Sequence, residues 1–543
     1  MSQSMRLGGC AALLWGVAWT VPALAQSTTL QQLQQQIQSQ QQQMQTQRRQ
    51  IQSLEDRLNG VAGTVQQQQN DISIVRSAQQ NSPAVASDSD WKVGIFKGRP
   101  AIYSADGNNS IALVGRFQFD VGNYFQNKQP GIGGATGADQ RTQKDLNSGY
   151  DLRRARLGVT GTYARDWQFD FVEEFGNLNA AGVTQTGAGA ANPAPGGTAI
   201  TGQILTASLT YTGFKNAAFV AGYTDVFDAF GEAVSSADIS FNERPAITNL
   251  VTNLAGNEPR AAFGVVGSGE RWYGEGWVTG PQNTIPTNGQ QAAIAARGGF
   301  LPLKRADGFL ALGANGSYVF VPPHNDAATG ISSNGVSAVG KTSFTLSERP
   351  ELRIDPTNSI TTGAINASHA GTYGLELAGA WKSLWFDGEI AGIAVDQVKV
   401  NPAQTIPAPG LSFSGYYGEV GYFLTGEQRP YSTGKGAWTT VHPASPFSLS
   451  GDGWGAFEIA ARYSFADLNS GSPVKGGVFG GKQSIYQVGL NWYPVTNVRF
   501  LLDYLVAGVD RRASPGAPAG QSPGVTNLAN SFQAVVFRTQ VNW

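Results

Sequence analysis

Residues able to do covalent chemistry are few and badly placed for it. His324, His369 and His442 each stand in a loop-like setting with Pro or Asn nearby, and no HExxH or Ser-His-Asp spacing accompanies them. Glu173 and Glu174 are neighbours on an alternating segment, so they point to opposite sides and cannot act as an acid/base pair. Gly476–Lys482 imitates a phosphate-binding loop, but Gln483 replaces the required Ser or Thr, and Ser484–Tyr493 alternates as a strand where a helix should begin. Cys10 is the sole cysteine. These readings point away from an enzyme and imply no cofactor and no metal site. What remains is charge held in place. Arg116, Arg154, Arg156, Arg462 and Arg499 recur on the polar side of segments whose other side is apolar, where fixed cations can meet ions in water.

The elements that carry these arginines have a period of two. In Arg116–Phe125, Phe117, Phe119, Val121 and Phe125 share one face, while Arg116, Gln118, Asp120 and Gly122 share the other. Leu157, Val159 and Tyr163 oppose Arg154, Arg156, Thr160 and Thr162 in the same way. Later, Phe457, Ile459 and Tyr463 oppose Glu458 and Arg462, and Phe500, Leu502 and Tyr504 oppose Arg499 and Asp503. A soluble sandwich also alternates, but a face carrying charges of both signs strand after strand suits a water-filled lumen. Composition agrees: 69 glycines and only 14% charged residues are too Gly-rich for a helical protein and too apolar for disorder. Lys plus Arg at 37 against Asp plus Glu at 38 leaves no basic excess, so nucleic acid is not an expected partner.

Aromatics gather at segment ends, as in Trp381 and Trp385, Trp492-Tyr493 and Tyr416-Tyr417, which is where interfacial girdles sit. Turn-rich insertions at 182–202, 332–340 and 513–524 alternate with short turns such as Pro494–Asn497, matching long outer loops and short periplasmic turns. The chain stops on Trp543 after Val535, Phe537 and Val541, an aromatic end of the kind that outer-membrane insertion recognises. About 450 residues in cycles of roughly 55 to 60 allow about 16 strands. The expected fold class is therefore all-β, a 16-stranded antiparallel transmembrane β-barrel, preceded by an N-terminal α-helical coiled coil.

That coiled coil is read from the residues before the barrel. Residues 1–25 form a signal peptide by pattern, with Arg6, an apolar core and Ala23-Leu24-Ala25 before Gln26; an uncleaved anchor helix is the alternative. Leu30, Ile37, Met44, Ile51, Leu58, Val65 and Ile72 then fall every seven residues, with Leu33, Leu54, Val61 and Val75 three positions on. A self-associating stalk across 26–80, in the periplasm, is the reading, against a disordered Gln-rich linker. Residues 81–90 form a linker and 91–543 the barrel. A trimeric adhesin also joins a coil to a barrel, but it contributes only four strands per chain.

Several stretches resemble the phosphate-selective porin O/P family of Gram-negative outer membranes: Asp151–Gly161 (DLRRARLGVTG), Phe241–Pro245 (FNERP), Tyr422–Glu427 (YFLTGE) and Gly489–Pro494, in the family's order. The resemblance implies a homotrimer of barrels in contact with outer-membrane lipid and lipopolysaccharide, passing small anionic or hydrophilic solutes such as phosphate or polyphosphate. It also implies that Arg153 and Arg154 help line the constriction, although strand parity turns Arg153 away from Arg154 and Arg156 unless a bulge re-aims it. Arg156 stands where an aromatic is expected. The loop expected to fold inward, Asp225 to Glu258, carries Asp225, Asp228, Glu232, Asp238, Glu243 and Glu258 against Arg244 alone. Free carboxylates there would repel a divalent anion, so a general diffusion porin without phosphate selectivity stays open beside the anion channel.

Overall fold

The computed structural model describes residues 91–96, 98–126, 146–176, 202–257, 259–282, 291–323, 343–398, 408–451, 453–472, 475–510 and 530–543. The predicted signal peptide, heptads and linker lie outside these, as do Glu258, His324 and the insertions at 182–201, 332–340 and 513–524.

Sixteen strands form the wall. They are β1 Ser110–Gln126, β2 Gly149–Tyr163, β3 Trp167–Glu174, β4 Gln203–Tyr211, β5 Ala217–Thr224, β6 Arg260–Ser268, β7 Trp272–Gln282 and β8 Ala292–Arg305, then β9 Gly308–Val321, β10 Ile360–Trp381, β11 Leu384–Gln397, β12 Gly410–Phe423, β13 Ala456–Ser470, β14 Val478–Val495, β15 Val498–Asp510 and β16 Asn530–Asn542. Each pairs antiparallel with the next, and β16 returns to β1 from Phe532↔Gln126 to Asn542↔Arg116. The ring therefore satisfies its own backbone groups, as a wall in lipid must. Side chains follow the period of two: Phe117, Val121 and Phe125 are exposed on the outside, while Gln118 and Asp120 are buried within.

The alternation also corrects the aromatic girdle read from sequence. Trp381 and Tyr416 face outward, but Trp385, Tyr417 and Tyr493 are buried in the lumen. Adjacent residues on a strand cannot both face lipid. Nor is the inner face charged all round: Ala293, Ala295, Val319, Ala370, Ile393, Val395 and Phe413 make an apolar inner wall.

Against that wall packs a helix absent from the sequence reading, α2 Ala246–Ala255, which follows the single turn α1 Phe230–Ala233. Ile247, Leu250, Val251 and Leu254 of α2 join the apolar cluster. Arg260, at the start of β6, donates to the carbonyls of Asn253 and Gly256 and so closes the helix C-terminus. Among the described residues no helix is long and apolar enough to cross a membrane.

Two further pieces break the simple pattern of long and short turns. Between β12 and β13, on the short-turn side, residues 427–441 fold inward around a small hairpin of Tyr431–Ser432 with Ala437–Trp438. There Arg429 lies 3.8 Å from the ring centre of Trp385 and 4.8 Å from that of Trp438. Before the ring, Trp91–Phe96 and Arg99–Ser104 form a hairpin that joins β1 at Ser110–Ala112.

The chain end seals the ring. The Gly115 N–H donates to the Trp543 carbonyl and the Trp543 N–H to the Gly115 carbonyl, both at 3.1 Å. The indole covers Gly115 so closely that a Cβ there would lie 2.1 Å from it. Replacing Gly115 with Val should displace Trp543 at a cost of about 1–3 kcal/mol. The folded barrel band on unboiled gels should then convert at a lower temperature than wild type, and an unchanged transition would show that the seam does not depend on this contact.

Candidate functional site

The FNERP stretch crosses the lumen, and its residues are held by the wall on several sides. Phe241 lies under Arg462, whose guanidinium is 4.5 Å from the ring centre. The Asn242 N–H donates to Asp503 (3.3 Å), and its carbonyl accepts from Arg538 (2.6 Å). Glu243 accepts two bonds from Arg153, at 2.5 and 2.8 Å, and one from Arg538 at 3.3 Å, with Arg353 3.6 Å away. Pro245 then opens α2, whose first N–H, on Ala246, donates to Glu351. Glu351 in turn accepts from Arg462 at 2.7 Å.

Arg153 reaches Glu243 because of a bulge. The β1–β2 register shifts between Gln118↔Arg154 and Phe119↔Leu152, so Arg153 has no partner residue in the ladder. Arg153 and Arg154 are both buried inside. The condition set by parity is thus met, and DLRRAR places three arginines on the lumen side. They do different things. Arg153 clamps Glu243, Arg154 donates to Gln118 (2.7 Å), and Arg156 donates to Glu174 (2.7 Å).

Three more of the loop's carboxylates are offset for separate reasons. Glu232 pairs with Arg244 at 3.2 Å. Burial raises Asp228 well above the usual carboxylate range against the pull of Arg260. Burial likewise raises Asp238, opposed by Arg116 and by a bond from Thr440. Glu243 is the opposite case: burial pushes it up, but Arg153 and Arg154 outweigh this and hold it well below the ordinary range.

Between this loop and the wall of β1–β4 lies a cavity of about 640 Å³ that reaches the short-turn end, where Thr496, Asn497 and Trp543 line it. Arg99, Arg116, Arg156, Arg244 and Lys435 border it against Asp170, Asp225, Glu232 and Asp238. Arg116 and Arg156 stand directly opposite each other across β1 and β2. Arg116 also donates to Ser236 (2.5 Å) and Ser235 (2.9 Å) of the loop.

The model of the family described as phosphate-selective porin O and P matches residues 125–543. The chain belongs to that family. It is similar to Porin O of Pseudomonas aeruginosa, 22% identical over 466 residues, which cover 85% of this chain and 97% of that protein. An uncharacterized protein of Caulobacter vibrioides is 33% identical over 157 residues, 29% of this chain and 28% of the relative's own length. Among solved structures, an anion-selective porin from Comamonas acidovorans aligns with a TM-score of 0.44 at 10% identity, covering 80% of this chain and 100% of that one. The outer membrane channel DcaP of Acinetobacter baumannii aligns at 0.40, also at 10% identity, covering 80% and 98%. As a porin, the protein forms a water-filled channel through the outer membrane for small hydrophilic solutes, and the family is one of channels rather than enzymes.

Within this porin the arginines expected at the pore separate into two groups. Arg116, Arg156 and the loop's Arg244 border the cavity. Arg153, Arg462 and Arg499 are instead buried as clamps: Arg499 donates to the carbonyls of Ala237 and Ile239, and Arg462 to Glu351 and Glu419. Sequence reasoning missed Arg538, Arg353, Arg99 and Lys435. Only Arg538 left a signal, since Phe537 outward in an alternating strand turns its neighbour inward.

Changing Glu243 to Ala should release the loop. Removing one partner of a buried ion cluster costs about 3–5 kcal/mol, because Arg153 and Arg538 are left buried without it. Because the folded pKa of Glu243 is depressed, the clamp's contribution is present above the unfolded pKa and is lost only as pH falls through the lower folded value. Wild-type single channels should therefore stay quiet from neutral pH to below about 4, where an ordinary glutamate would already be more than half protonated. The variant should show large current fluctuations at neutral pH, and equal noise in both proteins would remove Glu243 from the role of anchor.

Proposed function

We propose that this porin favours small anions of the phosphate class, drawn along the β1–β2 side of the lumen. The observation that carries the reading is the pairing just described: Arg153 and Arg538 clamp Glu243, the loop's own Arg244 pairs with Glu232 and burial raises Asp228 and Asp238, while Arg116 and Arg156 stand side by side on adjacent strands that border the cavity. An anion entering there exchanges water for guanidinium donors. Arg154, with Gln118 as a neutral partner, adds positive potential from behind the surface. Arg153, Arg462 and Arg499 serve by holding the loop.

General diffusion is the second reading, and Asp170 and Asp225 at the same cavity favour it. Acids facing arginines across a wide opening make a transverse field that admits ions of both signs.

The assembly reading is a homotrimer, supported by the heptads of residues 26–80, which would stand in the periplasm after a signal peptide of residues 1–25 is removed. Lipid and lipopolysaccharide would cover the outward aromatic and aliphatic face.

Replacing Arg116 and Arg156 together by Ala removes two fixed charges, each worth on the order of 1 kcal/mol or more at an effective dielectric near 20. Reversal potentials in a salt gradient should move from anion preference toward cation preference, and replacing Arg156 alone should move them less, because Arg116 keeps one of the two charges. Potentials identical to wild type in the double variant would place the selective step elsewhere.

A further inference from the structure

We propose that Asp228 is an alkaline release for the inward loop: the loop docks while this carboxyl holds a proton, and giving that proton to water frees the segment that borders the cavity. Asp228 is 1% exposed, and among the described residues neither of its oxygens has a hydrogen-bond partner. It is nonetheless tightly seated. Its N–H and that of Asn257 both donate to the Val226 carbonyl, at 3.1 and 3.2 Å, and a Cβ added at Gly256 would overlap the carboxyl. An unpaired buried anion is costly there, whereas the neutral acid is a small polar group of the same shape.

The elements packed around Asp228 either oppose its charge or leave it unanswered. Gly256 caps the C-terminus of α2, the end where helix carbonyls carry partial negative charge, and α2 itself has no charged residue. Arg260 of β6 attracts the carboxylate, but its Nε, Nη1 and Nη2 donate to the carbonyls of Gly256, Gly280 and Asn253, at 2.5, 2.9 and 3.1 Å. Glu232 of α1 and Glu275 of β7 add charge of the same sign. Glu389 of β11 also meets this segment, accepting from the Phe230 N–H at 3.4 Å.

Release here runs opposite to that of Glu243. Burial holds the docked Asp228 carboxyl well above its ordinary range. Its contribution to docking is therefore full below the released value of about 3.9 and is lost as pH rises toward the docked one, by up to about tenfold in the docking constant per pH unit. Glu243, held low, loses its contribution as pH falls. The loop thus has two anchors that fail at opposite ends of the pH scale. Phe227, Ala233, Ser235 and Ser236 border the cavity, so freeing the Asp228 end changes the width open to ions.

The test uses the full chain in outer-membrane vesicles, with its sole native cysteine, Cys10, changed to Ser. Val234, 3% exposed in the same loop, is replaced by Cys, and its reaction with a water-soluble methanethiosulfonate is followed from about pH 6 to 9. Leu449→Cys, at a position 96% exposed, serves as the reference that reports only the rise in thiolate with pH. The Val234→Cys rate should climb more steeply than the reference, by up to about tenfold per pH unit. Adding Asp228→Asn should abolish that excess slope, since Asn has no proton to lose, and adding Glu389→Gln should leave it. Equal slopes at positions 234 and 449 with Asp228 in place would overturn the proposal, and this comparison needs neither added variant to fold. An excess slope that survives Asp228→Asn, or that Glu389→Gln removes, would overturn it as well by assigning the release to another group.

Discussion

Burying Glu243 in the middle of the barrel requires charge to answer it, and three arginines from separate parts of the chain do so. Arg153 comes from a bulge in β2, Arg538 from β16 and Arg353 from the segment before β10. None of the three partners is close to Glu243 in sequence. The clamp therefore forms only once the barrel has closed and the loop has entered. A buried ion cluster adds little net stability over apolar packing but is costly to break in part, so it fixes one arrangement rather than deepening the well. The position of the loop, the side on which space is left, and the charges bordering that space all follow from it.

Its electrostatic consequence is selective. The loop reads as acidic in sequence, yet in place Glu232 and Glu243 are paired with arginines, and burial raises Asp228 well above the usual carboxylate range and Asp238 above it. Helix α2 draws the rest of the loop onto the apolar wall of β8–β13, and the cavity remains on the opposite side, along Arg116 and Arg156. Apolar packing on one side of the lumen and ion pairing in its centre together decide where ions can go. Residues 427–441 reinforce this from the other end, with Arg429 stacked on Trp385 and Trp438.

Much of this was legible in the sequence because a strand in a barrel wall has a strict period. Parity placed Gln118, Asp120, Arg154, Arg462 and Arg499 inside and Phe117, Leu157 and Tyr504 outside, and it named a bulge as the condition for Arg153. Reading aromatics in adjacent pairs ignored that same period, which is why Trp385, Tyr417 and Tyr493 are girdle residues in sequence but lumen residues in space. Helix α2 left a trace in the spacing of Ile247, Leu250, Val251 and Leu254, overshadowed by the carboxylates around it. Arg353 and Glu351 lie in an aperiodic segment whose path is set by long-range pairing. Nothing in local spacing points to them, and whether an arginine borders water or clamps a loop depends on a partner a hundred residues away, as with Arg462 and Glu351.

The central claim is that pairing and burial offset most of the loop's described carboxylates, so that the arginines bordering the cavity hold an anion long enough to matter. A binding station conducts only as fast as it empties. Single-channel chloride current measured against rising salt should accordingly level off, and millimolar or lower phosphate should reduce it by occupying the same guanidinium groups. Current that climbs in proportion to salt, with no response to phosphate, would contradict the account and leave a wide eyelet with a transverse field.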